Sequence, residues 1–455
     1  MDRLAQYFTE KIELALNRER LQAKVSVEGS YARDTWLSGE ADLDIFARFP
    51  PTISREEWIT NILPKLRREL RDYNIIERYA EHPFLEFHVE GVRINIVPAY
   101  EVKLGKWRSA TDRSAYHTEY MKKHLTTELR LQSRFLRKFM KGIRVYGAEI
   151  KIGGFSGMLA ETLIVYYGSF LGVLEHAAQW SHRTVIQIEN MQGKKSSSEP
   201  RHLLAEKTDA ALVVIDPIDP NRNLAAAVRP SKLWTFVEAS REFLRLPGLW
   251  YFYPPSFKSK TRPQFTKKIQ NTQSVIHGIW FQHPVMVVDV LWGQLMRLER
   301  SFVRTLARND FQVRRSEIWS DEQTQSAIIL ELGNDLLPPV VRRIGPPISN
   351  KNGSEAFLRR HLSATDTARG PWVQDDHWTV DKYRRLFRLQ DLIAIMIRDQ
   401  SYGLIVPSEL KKTFSKTWKL RTSKELVAET RRKDFNQAFW EFLEAKPSWL
   451  KPIPE

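Results

Sequence analysis

Apolar residues recur along this chain with two periods, and the period predicts the element. Leu4, Phe8, Ile12, Leu14 and Leu16 fall at helix-like spacing inside the charged stretch Met1 to Val25, which predicts a surface helix. Val25 to Val27 is apolar-leaning and stops at Gly29-Ser30, and Leu43 to Phe46 reads as a strand ended by Pro50-Pro51. A helix fits Glu56 to Arg71; two strand-like stretches follow, Phe84 to Val89 and Val92 to Val97, the second closed by Pro98. Strands and helices alternating over about 100 residues predict a small mixed α/β domain.

From Leu125 the pattern turns helical through Phe135 to Met140 and Met158 to Trp180, until a polar loop, Gly193 to Ser198. Beyond Pro254-Pro255 the pattern is mixed: strand-like Gly278 to Phe281, a helix near Leu291 to Ala307, strand-like Ser326 to Leu332, and a punctuated stretch around Gly345-Pro346-Pro347. A helical C-terminal part is expected after it, and no internal repeat is visible. Met1 to Val25 lacks the apolar core of a signal peptide. The most apolar run, Leu163 to Leu174, is shorter than the ~20 residues of a bilayer span and is interrupted by Gly168 and Ser169. The expectation is a soluble, cytoplasmic protein with no membrane partner.

Composition narrows the partners. With 455 residues, 42% of them hydrophobic, the chain can bury a core large enough for several domains, which excludes disorder over most of its length. Lys and Arg number 70 against 54 acids, a net charge of +16 that favours a polyanion such as nucleic acid. Basic residues concentrate in Lys122 to Arg144, Lys258 to Lys268 and Lys411 to Arg421, the last with Phe414 and Trp418 between them, as suits phosphate contacts and base stacking. The absence of cysteine excludes disulfides, thiolate nucleophiles and Cys-ligated metals. No two of the 11 histidines lie three to five positions apart, so the metal to expect is an oxygen-bound hard cation such as Mg²⁺.

Chemistry gathers early in the chain. Asp42 and Asp44 are two apart on a strand and project to one face while Leu43 and Ile45 enter the core. Paired carboxylates repel, and a divalent cation relieves the repulsion. Gly29-Ser30 ahead of them brings a backbone N–H and a hydroxyl to a phosphate, since glycine has no side chain in the way, and Arg33 adds positive charge.

Joined at this spacing, these features resemble the metal-and-triphosphate signature of polymerase-β-type nucleotidyltransferases. The likeness sharpens along the chain. Gly29-Ser30-Tyr31-Ala32-Arg33 with Thr35-Trp36-Leu37, Arg78-Tyr79-Ala80-Glu81-His82-Pro83, Val97-Pro98 with Tyr100, Tyr146-Gly147-Ala148-Glu149, Gly154-Phe155-Ser156-Gly157, Tyr167-Gly168-Ser169-Phe170 and Asp216-Pro217 with Arg222-Asn223 resemble, in order, the archaeal (class I) CCA-adding enzymes. The resemblance implies an α+β multidomain chain: a nucleotidyltransferase head over residues 1–135, a helical neck that recognises the base over 136–255, and a tRNA-binding body and tail over 256–455. It implies addition of C, C and A to the 3′ end of tRNA from CTP and ATP with Mg²⁺, contacts to the acceptor and T arms, and a homodimer through the C-terminal regions. By position, Asp42 and Asp44 are metal-binding carboxylates. Gly29, Ser30, Arg33, Ser114 and His117 hold the triphosphate, together with Arg137 or its equally placed rival Lys138. Tyr146 lies near the nucleotide, and Arg222 reads the base edge. Taken one at a time, Ser114 and His117 also suit the cap of a helix begun by Tyr120 and Met121.

One position departs from the family pattern. Where a third catalytic and metal-binding carboxylate belongs, this chain has Asn95, on the face it shares with Arg93 and Val97. An amide keeps a neutral carbonyl oxygen for a metal but is no base at neutral pH. Three explanations stand side by side: an engineered substitution, a neighbouring acid such as Glu86 or Glu90 in its place, or a protein that binds tRNA 3′ ends without efficient transfer.

Overall fold

Leu43, Ile45 and Ala47 alternate with Asp42, Asp44 and Phe46, and the strand they form sorts the two sets to opposite faces of a sheet. In the computed structural model, which describes residues 1–40, 42–78, 82–189, 191 and 210–451, the chain divides into two compact units, Met1–Ser256 with Pro447–Glu455, and Phe257–Lys446. Tyr79 to Glu81 of the quoted motifs, and the polar loop Gly193 to Ser198, lie outside the described residues.

The first unit holds a five-stranded sheet in the order β1-β2-β5-β4-β3, with β1 Lys24–Glu28, β2 Asp42–Phe49, β3 Ile76–Arg78, β4 Phe84–Val89 and β5 Val92–Tyr100. β2 and β5 pair in parallel, and the crossover this requires carries a helical stretch from Arg55 to Glu69. β5 runs on through Pro98 to Tyr100. The core face joins Leu43 and Ile45 to Leu85, Phe87, Ile94 and Ile96. Helix α1, Asp2–Arg18, lays Phe8, Ile12 and Leu16 on that same core. The helix expected at the surface is therefore half-buried, because its apolar stripe closes the back of the sheet.

Three further helices carry the rest of the site: α2 Gly29–Ala32, α3 Arg113–His124 and α4 Thr127–Gly142. Residues 135 and 136 both lie within α4, so the expected head and neck share a helix inside one unit. The helical core adds α5 Gly157–Tyr167, α6 Phe170–Ala177 and α7 Pro230–Arg245. The stretch Met158 to Trp180 breaks where Gly168 turns left-handed (φ 79°) and Ser169 accepts from the Gly172 N–H to start α6. Among the described residues no single helix is long and apolar enough to cross a membrane; α5 and α6 together reach that length but bend by 92°. A parallel pair, β6 Thr184–Gln187 and β7 Leu212–Ile215, completes the unit, and Trp449 returns from the chain's end to pack on its core.

The second unit is built on a four-stranded sheet, β14-β8-β10-β9, where β8 is Val275–Gln282, β9 Val313–Ser320, β10 Gln325–Leu332 and β14 Lys419–Thr422. β10 is buried on both faces: Ile328 and Leu330 meet Leu295 and Phe302, and Ala327 and Ile329 meet Phe435 and Phe439. The punctuated stretch around Gly345-Pro346-Pro347 and the part after it that was expected to be helical also contain a second sheet, β11-β13-β12, from β11 Val340–Pro347, β12 Thr367–Gln374 and β13 His377–Tyr383. Its register shifts at Arg369 and after Ile344, and the Gly345-Pro346 pair that punctuates the sequence lies inside β11.

Candidate active site

Register assembles the acidic centre. Asp42 lies opposite Arg93, and Asp44 opposite Asn95, across the parallel pair β2·β5. On the flanking strands Glu28 of β1 faces Asp44 and Glu86 of β4 faces Asn95. Paired residues share a face, so Glu28, Asp44, Asn95 and Glu86 form one row across four strands, on the side away from the core.

The row is tightly packed. A Cβ built on Gly29, whose φ is +74°, would stand 2.3 Å from Asp44 Oδ2, so only glycine lets the turn pass this close to the carboxylate. Asn95 Nδ2 donates to Asp44 Oδ1 at 2.8 Å, while Asn95 Oδ1 is buried without a partner among the described residues. Burial pushes the Asp44 carboxyl above its usual range; the Asn95 bond and the charges of Arg33 and Arg93 pull against the rise, and the Asp42 charge adds to it. Arg93 grips Asp42 with Nε on Oδ1 at 2.9 Å and Nη2 on Oδ2. Its own pKa is raised, first by that bond.

Among the described residues no three His, Asp or Glu side chains converge as a ready-made metal site. The donors nonetheless suit a hard cation. Mg²⁺ commonly takes one or two protein carboxylates and completes its shell with phosphate and water. Asp42 and Asp44 give two, and the orphaned Asn95 oxygen adds a neutral donor beside them.

A second cluster ties the sheet to the helices. Glu161 on α5 is fully buried; Arg33 Nε donates to its Oε2 at 2.7 Å and Thr35 Oγ1 to its Oε1 at 2.5 Å. Arg137 of α4 donates to the Thr35 carbonyl at 2.6 Å and lies over the Tyr146 ring at 5.4 Å. Burial raises the Tyr146 pKa. Lys138 points elsewhere, to Glu40 and over the Tyr253 ring. Ser30 offers its carbonyl to the Thr35 N–H at 2.9 Å.

The third cluster centres on Asp216, just past β7. His117 Nε2 sits 3.0 Å from both its oxygens, Arg222 Nη1 donates to Oδ2 at 2.9 Å, and the Ile218 N–H caps Oδ1. Burial alone would raise the Asp216 pKa, but these partners outweigh it and hold the group below its ordinary value. Ser114 precedes His117 by three residues on α3, hence on the same side of that helix. The start of α3 is served instead by Ser109 and Asp112, which form a reciprocal capping box ahead of it, so Ser114 and His117 lie within the helix.

The structure thus brings Asp42, Asp44, Asn95 and Gly29 together, joins Arg33 to Arg137 and Tyr146 through Glu161 and Thr35, and joins His117 to Arg222 through Asp216. Glu161 and Glu28 were not picked out from sequence, and Asp216 entered there only as part of the Asp216-Pro217 motif, without a role. Glu161 left a trace there, as the one acid inside the apolar stretch Gly157–Tyr167. Glu28 alternates with Val27 but looks like any strand-end acid.

Comparison with known proteins gives the class and then the family. A nucleotidyltransferase domain model matches residues 9–117, a model of the tRNA nucleotidyltransferase second domain residues 132–253, and a model of the CCA-adding enzyme C-terminal domain residues 272–417. These matches and the fold define an α+β multidomain nucleotidyltransferase. The chain is 36% identical over 395 residues to a CCA-adding enzyme of Pyrobaculum neutrophilum, covering 84% of this chain and 88% of that one. It is 33% identical over 443 residues to that of Methanothermobacter thermautotrophicus, covering 95% and 90%. Among solved structures, a cytoplasmic RNA terminal U-transferase aligns with TM-score 0.42 and 11% identity over 53% of this chain and 88% of that one. The chain belongs to the family of archaeal CCA-adding enzymes, which are tRNA nucleotidyltransferases.

Proposed function

We propose that this chain extends the 3′ end of tRNA by C, C and A, taking CTP and ATP and releasing pyrophosphate at each addition, in the cytoplasm where its substrates are. The observation that carries the reading is the Gly29 turn pressed against the Asp44 carboxylate beside Asp42, in a chain related to CCA-adding enzymes over most of its length. A divalent cation such as Mg²⁺, held by Asp42 and Asp44 with the Asn95 oxygen as a neutral donor, would supply charge stabilisation for the attacking 3′-hydroxyl and the leaving pyrophosphate.

The protein's own groups orient the reactants. Arg33 and Arg137 set two buried cations against the single charge of Glu161, leaving net positive charge near the Gly29-Ser30 turn for a triphosphate. The orientation of Lys138 toward Glu40 and Tyr253 supports Arg137 in this role. Asp216 fixes His117 while the half-exposed Arg222 guanidinium stays available to the edge of the incoming base. The basic stretches Lys258 to Lys268 and Lys411 to Arg421 suit backbone contacts along the acceptor and T arms, because every tRNA must be accepted whatever its sequence.

A specific observation favours a second reading, binding of tRNA 3′ ends with impaired transfer. The third carboxylate is an amide, and Arg93 neutralises Asp42. Incorporation of labelled CTP and ATP into a tRNA transcript lacking its CCA end separates the two, comparing this chain with Asn95→Asp. Addition of C, C and A by both supports the main reading; addition by the variant alone supports the second. If neither adds nucleotides, the enzyme reading is wrong. Light scattering reads the homodimer that the family resemblance implies.

A further inference from the structure

Asn95 is 92% buried, yet only one end of its amide is used. Nδ2 donates to Asp44 Oδ1, and Oδ1 has no partner among the described residues, an arrangement folded proteins seldom leave in place without a purpose. On the opposite flank, directly across in the β4·β5 register, stands Glu86, 5% exposed and anchored through Oε1 by Arg78 Nη2 at 2.6 Å. A carboxylate accepts hydrogen bonds and cannot donate them, so the Glu86 anion attracts an amide NH₂ and repels an amide oxygen. Asp44, when it holds a cation, needs no donor from Asn95.

Taking Asp42 and Asp44 as the cation site, we propose that Asn95 is a two-position amide aimed by Glu86. Without a cation, Nδ2 bridges to Asp44, as observed. With one, the amide makes a half-turn about χ2, so that Oδ1 joins the cation and Nδ2 passes to Glu86. Glu86 is then a positioning residue: it orients the neutral donor and supplies, one strand away, the negative charge that a carboxylate at position 95 would have brought. The turn breaks no covalent bond and moves no proton.

The consequence is that the effect of position 86 depends on the residue at position 95. With Asn95 present, Glu86→Gln removes the acceptor that aims the amide and should weaken cation binding about 10-fold, the lower end of the ~10–100-fold effects of outer-shell partners. With Asn95→Asp there is no amide to aim, and Glu86→Gln removes only a negative charge one strand away, so cation binding there should weaken by a smaller factor.

The test is titration of the full chain with Mn²⁺ alone, read by the EPR signal of the free ion, for wild type, Glu86→Gln, Asn95→Asp and the double variant, with circular dichroism as the folding control. A larger loss of affinity from Glu86→Gln with Asn95 present than in the Asn95→Asp background supports the proposal; equal losses in the two backgrounds, or no effect of Glu86→Gln with Asn95 present, overturn it. Should Glu86→Gln not fold, Glu86→Asp, which keeps the charge but draws the carboxylate back by one methylene, must weaken binding with Asn95 present and leave it nearly unchanged in the Asn95→Asp background. Asp44→Asn separates this inference from the reading it rests on. Mn²⁺ binding that is lost in Asp44→Asn but indifferent to position 86 sinks the amide proposal alone. Wild-type binding that is absent, or unchanged by Asp44→Asn, sinks the cation site and the proposal with it.

Discussion

Glu161→Gln should damage this protein more than any surface substitution, although it changes one atom. Glu161 has no exposed surface, and the Arg33 and Arg137 side chains beside it are each 10% exposed. The neutral amide retains one acceptor oxygen, so Arg33 Nε or Thr35 Oγ1 loses its partner, and two guanidinium ions are left buried without a counter-charge. Breaking a buried pair in this way costs about 3–5 kcal/mol, where an exposed pair would cost ~0–1. For a unit of this size that corresponds to a lowering of Tm by roughly 6–20 °C. Urea unfolding followed by tryptophan fluorescence measures the loss. Adding Arg33→Met to Glu161→Gln removes one of the stranded cations, so the double variant should be less destabilised than the sum of the two single changes, by at least ~2 kcal/mol. A loss below about 1 kcal/mol for Glu161→Gln, or additivity within ~0.5 kcal/mol, would refute the argument that this carboxylate neutralises a desolvated cluster.

Gly29→Ala should cost about 1–2 kcal/mol for its left-handed backbone and cut nucleotide incorporation by more than about 10-fold as its Cβ displaces the Asp44 carboxylate. Gly39→Ala, at φ +76° with open space around its Cβ, should show the strain without the loss of incorporation; equal activities in the two variants would contradict the close-approach reading. Asp216, held below its ordinary pKa, binds its proton less readily in the native state than in the unfolded one. Its contribution to stability is therefore full above the unfolded value near ~3.9 and lost as pH falls through the folded value. The stability gap between wild type and Asp216→Asn, from urea midpoints taken between about pH 6 and pH 3, should narrow toward acid, and a widening gap would reverse the sign. Affinity for tRNA should fall steeply between ~50 and ~200 mM salt; a flat dependence would rule out phosphate tracking by the basic stretches.

Much of the catalytic head was legible in the sequence because its signals are local. A two-residue period sent Leu43 and Ile45 inward and put Asp42 and Asp44 on one face, and β4 appears where alternation forecast it. The motif order carried the family, and the charge balance pointed to a polyanionic partner. Only the tertiary structure decided which residues meet. Parallel register put Asn95 beside Asp44 and Glu86 beside Asn95. Chain crossovers joined Arg33 to Glu161 over 128 positions and His117 to Asp216 over 99. The docking of α1's apolar stripe on the back of the sheet, the sheet β11-β13-β12 and the return of Trp449 to the helical core were likewise decided by contacts distant in sequence. Periodicity records how one segment divides its own faces between water and core. Which second segment covers the inner face, in what register, and which charges are thereby desolvated together depends on contacts that only the folded chain makes.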